Sequence, residues 1–377
     1  MNGGDVLFVG AFDEGPGYPR ATSLRMGLQA QGVTVRECRA PGPGRDKQRL
    51  LRSPWRWPQA YWQQRQQRRR LVRELQAEVA RQRPRCIVVP YPGHGIVQAV
   101  KRATDVPVVL DLFLSAYDTV VEDRQIVHPG SLGAWWLQQL DTNACRAADL
   151  VLVDTPTNAA YAAALTGLSP ERFTYLPVHD PDAAAPTPQP TASGPLRLLF
   201  FGTGVPLHGL DVLIAAVAKA PDVHLTLVGG TEPDRVEAMA QLGTRLALQP
   251  EFVGRRRLQK LLADCQLVAG VFGASGKAQR VVPFKVVHAL AAGRPVLTAD
   301  TPAICQWLDG SGAVFLSPAG DVDALAAMLR ELATSPERIA AAAHAARPAY
   351  DRHFGTTSLA RRWGEVLARL QPVAVPS

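Results

Sequence analysis

Two stretches in the second half of this sequence combine glycine with cations in the way that an anion-binding turn requires. Leu196–Phe201 reads as an apolar strand, and Gly202-Thr203-Gly204-Val205-Pro206-Leu207-His208-Gly209 follows it before the helical pattern Leu210–Ala220. Glycines at a strand-to-helix turn let backbone amides approach a phosphate, and the amino end of the helix adds partial positive charge. A plain tight turn without a ligand would read the same way. The second stretch, Gly273–Gly293 (GASGKAQRVVPFKVVHALAAG), sets Lys277 and Arg280 in a loop, with Lys285 just past Pro283, where a helix should open. Three cations at a helix amino terminus are disfavoured by the helix dipole unless an anion sits among them, so a phosphate or diphosphate is expected here. A solvated basic loop is the plainer alternative.

The first half offers candidates of another kind. Asp111 directly follows the apolar run Val106–Leu110, and Asp118 lies in the loop beyond. A carboxylate at the carboxyl end of a parallel strand can orient or deprotonate a hydroxyl, or hydrogen-bond loop amides. His94, in Pro92-Gly93-His94-Gly95, is the second catalytic candidate, against the usual structural role of a lone histidine. The loop Gly10–Arg20 (GAFDEGPGYPR) brings Gly15, Gly17 and Arg20 to the start of a helix, where Arg20 either caps a phosphate or lies on the surface. No metal or other cofactor is expected. The five cysteines lie far apart, and Asp321-Val322-Asp323 opens a late helix, where the first aspartate reads as a cap.

The elements that must hold these groups are short β-rich runs alternating with longer helical patterns, the signature of parallel sheets. The first set is Val6–Gly10, Val33–Cys38, Cys86–Pro90, Val106–Leu110, Leu150–Val153 and Phe173–Leu176. The second is Leu196–Phe201, Val223–Val228, Ala247–Val253, Leu267–Phe272, Pro295–Ala299 and Ala313–Leu316. Between them Asp182–Pro195 (DAAAPTPQPTASGP) can neither continue a helix nor pair in a sheet centre. The expected fold is α/β, with two Rossmann-like, doubly wound domains over 1–181 and 196–355, a linker at 182–195, and strand ends facing a common cleft. Leu359, Trp363, Val366, Leu367 and Leu370 recur at helical spacing, so a terminal helix over 356–377 needs a surface to bury them, and the first domain can supply one.

The 377 residues are 47% hydrophobic and 20% charged, which excludes both a small stapled module and general disorder. Met1–Gly10 reads as a first strand rather than a leader or membrane span, and the scattered cysteines fit a reducing compartment, so a cytoplasmic location is expected. A net charge of +8 favours anionic partners. Arg45–Arg73 concentrates ten basic residues and one acid among Trp55, Trp57, Tyr61 and Trp62, followed by Leu71, Val72, Leu75 and Val79 on one helical face. It reads as an interfacial segment for an anionic inner-membrane face, in preference to a nucleic-acid site, with a solvated basic helix as the alternative.

The series FFGTGVPLHGLDVLIAAV, LTLVGG and EFVGRRRLQKLLADCQLVAGVFGASGKAQRVVPFKVVHALAAGRPVLTADTPA resembles the nucleotide-sugar half of GT-B enzymes in the retaining glycosyltransferase family four. GPGYPRATSLRMGLQAQGV, VPVVLDLFLSAYDTVVEDR and DLVLVDTPTNAAY resemble the acceptor domain of a bacterial branch of that family. The resemblance implies a sugar moved, with retention, from a nucleotide diphosphate sugar to a hydroxyl of a glycan or lipid-linked acceptor. It places Gly202, Thr203, Gly204, His208, Gly209, Gly273, Lys277, Arg280, Lys285 and His288 on the donor side. Thr203 and His208 stand where the family usually has Arg and Lys, and Arg280 and His288 stand where it has paired glutamates that contact the sugar and the ribose. Those departures leave two other readings open: a non-catalytic glycan-binding or scaffold protein, and a GT-B sugar-nucleotide epimerase.

Overall fold

The computed structural model describes residues 5–14, 19–41, 57–183, 185–190 and 194–370. The chain divides into two compact units. The first holds residues 1–119, 127–181 and 356–377, and the second holds residues 120–126 and 182–355.

In the first unit β1 (Val6–Phe12), β2 (Val35–Pro41), β3 (Cys86–Val89), β4 (Val108–Asp111), β5 (Leu150–Val153) and β6 (Phe173–Tyr175) form a parallel sheet in the order β2-β1-β3-β4-β5-β6. In the second, β7 (Leu196–Gly202), β8 (Val223–Gly229), β9 (Leu246–Leu248), β10 (Leu267–Ala269), β11 (Val296–Ala299) and β12 (Val314–Ser317) are also parallel, in the order β12-β11-β10-β7-β8-β9. Each is the α/β arrangement expected of a GT-B domain. The central strands CIVV, VVLD and LVLV are buried throughout, because helices cover both faces of such a sheet. Strand order reverses between β1 and β3, and again between β7 and β10. The loops leaving those strands therefore meet at the switch points where doubly wound sheets bind ligands.

Three local expectations are corrected. The strand expected over Ala247–Val253 is Leu246–Leu248, because Pro250 cannot donate to a ladder. The loop expected to carry Lys277 and Arg280 contains a short helix, Gly276–Arg280, whose N-cap Ser275 accepts from the amide of Ala278. The segment read as interfacial is, from residue 57 onward, the helix Trp57–Arg81, and Leu71 and Leu75 are buried in the core of the first unit, with Val79 packed against it. That apolar face is unavailable to lipid, while Arg68, Arg69, Arg70 and Arg73 are exposed. Residues 45–56 lie outside the described residues.

Two further packing features close the units. Residues 182, 183 and 185–190 belong to the second unit, where the fully buried Arg294 donates to the carbonyls of Thr187, Pro188, Leu262 and Ala263. The helix Thr356–Arg369 packs on Pro19–Ala30 within the first unit. Its Trp363 is fully buried and donates Nε1–H to the carbonyl of Leu24 at 2.9 Å. A Cβ on Gly27 would lie 2.7 Å from both Leu359 and Trp363, so the glycine permits the close approach. Trp363→Ala should cost about 3–5 kcal/mol and loosen the terminal helix first. Hydrogen exchange over residues 356–369 checks this, and unchanged protection there would contradict it.

Candidate functional site

At the switch point of the second unit, two loops are laced together by backbone hydrogen bonds. Phe272 N donates to His208 O at 2.9 Å, and Gly273 N donates to Leu207 O at 3.2 Å. Gly209 sits at φ 56°, and a Cβ there would fall 2.5 Å from Gly273 N. Only glycine allows both the left-handed turn and this contact. Gly273 is equally tight, since its Cβ would meet the carbonyl oxygens of Leu207 and Pro206 at 2.7 Å. Gly204 turns against Thr231, and Thr203 is exposed beside it.

Beneath Gly202 lies the amine of Lys285. The side chain is 6% exposed, and Nζ has no hydrogen-bond partner. Nζ lies 3.8 Å from the centroid of the Phe200 ring, and a Cβ on Gly202 would come within 3.0 Å of it. Burial pushes the lysine well below its ordinary 10.5. His208 packs edge-on against the same ring, also buried, with Nδ1 unpartnered. Burial and then the charge of Lys285 bring it down to about 3, so its imidazole is neutral at neutral pH. His288 lies farther along the helix Phe284–Ala291, against Phe201 and Phe284.

The other two cations differ from expectation. Lys277 Nζ lies 4.0 Å from Asp123, and Arg280 Nη2 lies 3.0 Å from Glu122. Both carboxylates belong to residues 120–126, which are part of the second unit. The anion that the helix dipole seemed to demand is thus partly supplied by the protein. Lys285 is the cation left without one.

In the first unit, Asp111 and Arg20 are brought together as a closed pair. Arg20 Nε and Nη2 donate to Asp111 Oδ1 at 3.0 and 2.7 Å, and the guanidinium also donates to the carbonyls of Leu176 and Val153. Asp111 has no exposed surface and Arg20 is 5% exposed. A carboxylate sealed against a guanidinium is a poor acceptor for a proton from outside, and an arginine so engaged has little left for a phosphate. Asp111, expected as base, and Arg20, expected as phosphate cap, thus form a buried pair joining the ends of β4, β5 and β6. Asp118 is buried at the start of the π-helical turn Asp118–Asp123, with its amide donating to Ser115 Oγ. Gly15 and Gly17 lie outside the described residues.

His94 follows β3, with Nε2 3.0 Å from Oδ1 of the fully buried Asp141. Ser115 Oγ and the amides of Ala116 and Tyr117 also donate to Asp141. Burial raises its carboxyl, but the contact with His94 and the hydrogen bonds from Ser115 and Tyr117 outweigh this and hold it below the ordinary range. An anionic Asp141 can orient the His94 ring, the arrangement a proton-transferring histidine needs. Asp141 was not among the sequence candidates. It stands mid-helix in LQQLDTNA, and only its position on the buried face, among apolar neighbours, distinguishes it.

Residues 195–335 match the family model Glycosyl transferases group 1, and residues 4–179 match the Glycosyl transferase 4-like domain. Both halves are glycosyltransferase domains of the GT-B fold. The structure is similar to that of sucrose-phosphate synthase from Thermosynechococcus elongatus, at 17% identity over 97% of this chain and 98% of that one, with a TM-score of 0.70. It is also similar to Anabaena HepE in complex with UDP, at 17% identity over 97% and 99%, with a TM-score of 0.66. A curated relative, the amylovoran biosynthesis glycosyltransferase AmsK of Erwinia amylovora, is 29% identical over 192 residues, 47% of this chain and 45% of its own length. The match therefore spans about half of each protein. Among the described residues, no group of three or more His, Cys, Asp or Glu side chains is placed to hold a metal ion. Asp321 caps the helix Val322–Ala333, and Asp323 pairs with Lys219.

The two buried cations respond oppositely to removal of charge. Asp111→Ala leaves Arg20 buried and unpaired and should cost about 3–5 kcal/mol, much of it recovered in the double variant Arg20→Met/Asp111→Leu. Lys285→Met removes an unsatisfied amine and should stabilise the second unit by about 1–3 kcal/mol. Denaturant midpoints measure both, and a stable Asp111→Ala or a destabilised Lys285→Met would contradict these assignments.

Proposed function

We propose that the chain transfers a sugar, with retention, from a nucleoside diphosphate sugar to a hydroxyl of a glycan or lipid-linked glycan. The observation that carries the donor assignment is the unpaired amine of Lys285 beneath Gly202, at the amino end of Phe284–Ala291. A diphosphate at this turn gives that amine a counter-charge, and the amino end of Phe284–Ala291 adds partial positive charge to it. The UDP and UDP-glucose complexes of HepE make a uridine nucleotide the first donor to test, and AmsK's part in amylovoran biosynthesis supports a polysaccharide acceptor. As the sugar departs, Lys285 and the helix end stabilise the charge developing on the leaving diphosphate. His94, oriented by Asp141, takes part in proton transfer on the acceptor side.

The exposed Arg68, Arg69, Arg70 and Arg73 provide an electrostatic attachment to an anionic membrane surface. Among the described residues, no helix is long and apolar enough to cross a membrane.

The donor reading predicts proton-coupled binding. With its pKa depressed in the empty site, Lys285 is unprotonated between that value and 10.5, a range in which the unfolded chain would bind the proton. Folding stability therefore rises with pH through this range. A bound diphosphate raises the pKa, so UDP-glucose binding takes up a proton and weakens by at most about tenfold per pH unit across the range. Calorimetry in buffers of different ionisation enthalpy measures the uptake, which Lys285→Met should abolish along with most of the affinity. Wild-type binding of UDP-glucose without uptake would remove Lys285 from the donor site, and a chain that binds no nucleotide sugar at all would overturn the transferase reading.

A further inference from the structure

The helix Leu132–Ala147 presents two tryptophans to the outside. Trp135 is 59% exposed and Trp136 58% exposed, in a chain whose Trp307 and Trp363 are buried. With Gln139 and Asn143 they line a cavity of about 330 Å³ that His94, Gln98 and Leu140 also line. Residues 135, 136, 139 and 143 fall on one continuous face of the helix, while its opposite face carries the buried Ala134, Asp141 and Cys145. Ser131 caps the helix, accepting from the amide of Ala134, which fixes the first turn on which the tryptophans stand.

We infer that this cavity is a saccharide subsite for the acceptor chain, in which a pyranose ring stacks on a tryptophan and its hydroxyls bond to the amides. The inference deepens the transferase reading and rests on it for calling the sugar an acceptor. Three features select this occupant. Large rigid aromatics offer apolar contact area at low entropic cost, suited to the C–H faces of a sugar ring. Three side-chain amides supply both donors and acceptors, matching hydroxyl groups that are themselves both. The volume lies at the small end for ligand sites, enough for a ring unit rather than a nucleotide. A lipid surface is the competing occupant, and the exposed Leu132 at the start of the helix would favour it. The cavity, however, is concave, amide-rich and lined by neither Lys nor Arg, whereas an anionic interface draws cations among its aromatics. His94, held by Asp141, is the lining residue able to move a proton.

The full chain should be titrated with maltotetraose, cellotetraose and chitotetraose, followed by tryptophan emission and by calorimetry. At least one of the three should give a saturable response. Trp135→Ala or Trp136→Ala should weaken it at least about tenfold, equivalent to about 1.4 kcal/mol, and Phe at the same position should restore part of the loss. Gln139→Leu, which keeps size but removes the amide, should weaken it similarly. Vesicles of brominated phosphatidylcholine, with and without phosphatidylglycerol, form the competing arm. Tryptophan quenching by vesicles with no saccharide response overturns the inference in favour of a lipid surface, and silence toward all three tetrasaccharides overturns it outright. UDP-glucose binding on the same preparation separates the two readings. Nucleotide binding without saccharide binding defeats this inference alone, whereas saccharide binding without nucleotide binding leaves the subsite standing and defeats the donor assignment.

Discussion

A cation taken out of water has to be answered by something, and each unit of this chain is organised by how that is done. Arg20 is answered by Asp111 and by two carbonyls at the ends of neighbouring strands. Arg294 is answered almost wholly by carbonyls, and in being so it holds residues 187 and 188 to the body of the second unit. Lys277 and Arg280 face Asp123 and Glu122. Lys285 has only the face of Phe200. Among these buried basic groups Lys285 is the one whose side chain has no hydrogen-bond partner.

Its position follows from topology and from glycine. Reversal of strand order between β7 and β10 brings two loops together, and those loops interdigitate only because Gly209 and Gly273 lack side chains. The same absence at Gly202 lets a lysine on a different helix reach under the turn. The corresponding switch point of the first unit, between β1 and β3, is closed differently. There the loop carrying His94 is tied to the buried Asp141, and that residue also gathers Ser115 and two backbone amides. One unit thus leaves a buried amine unpartnered at its switch point, while the other orients a histidine at the edge of an amide-lined cavity.

Much of this was legible in the sequence. Short apolar runs such as CIVV and LVLV, alternating with helical patterns, read as strands buried on both faces of a doubly wound sheet. The glycine turn after β7 and the cations around Pro283 were visible as residue types at a turn. Which cation is unpaired was not legible, because Glu122 and Asp123 lie more than 150 residues away in sequence and reach Arg280 and Lys277 only through the fold. The partner of Asp111 was hidden for the same reason. A strand-end aspartate looks available until Arg20, 91 residues earlier, is seen to close over it. The helix beyond Arg68 also looked interfacial, since periodicity shows that Leu71 and Leu75 share a face but not whether protein or lipid covers it.

The unpaired lysine has a kinetic consequence on the transferase reading. A nucleotide sugar reaches the site as a diphosphate diester, and bond breaking leaves a diphosphate carrying additional negative charge on the oxygen released. On that reading the amine takes up its proton as the diphosphate binds, and because it is already out of water it needs no further desolvation when the charge of the leaving group appears. Its stabilisation therefore grows along the reaction coordinate rather than being spent equally on the bound substrate, which is the condition for accelerating the chemical step. The same asymmetry makes the nucleoside diphosphate product the tighter ligand. A turn that hastens cleavage in this way also slows departure of the product, and the balance between the two is set by how readily Lys285 gives up its proton once the diphosphate leaves.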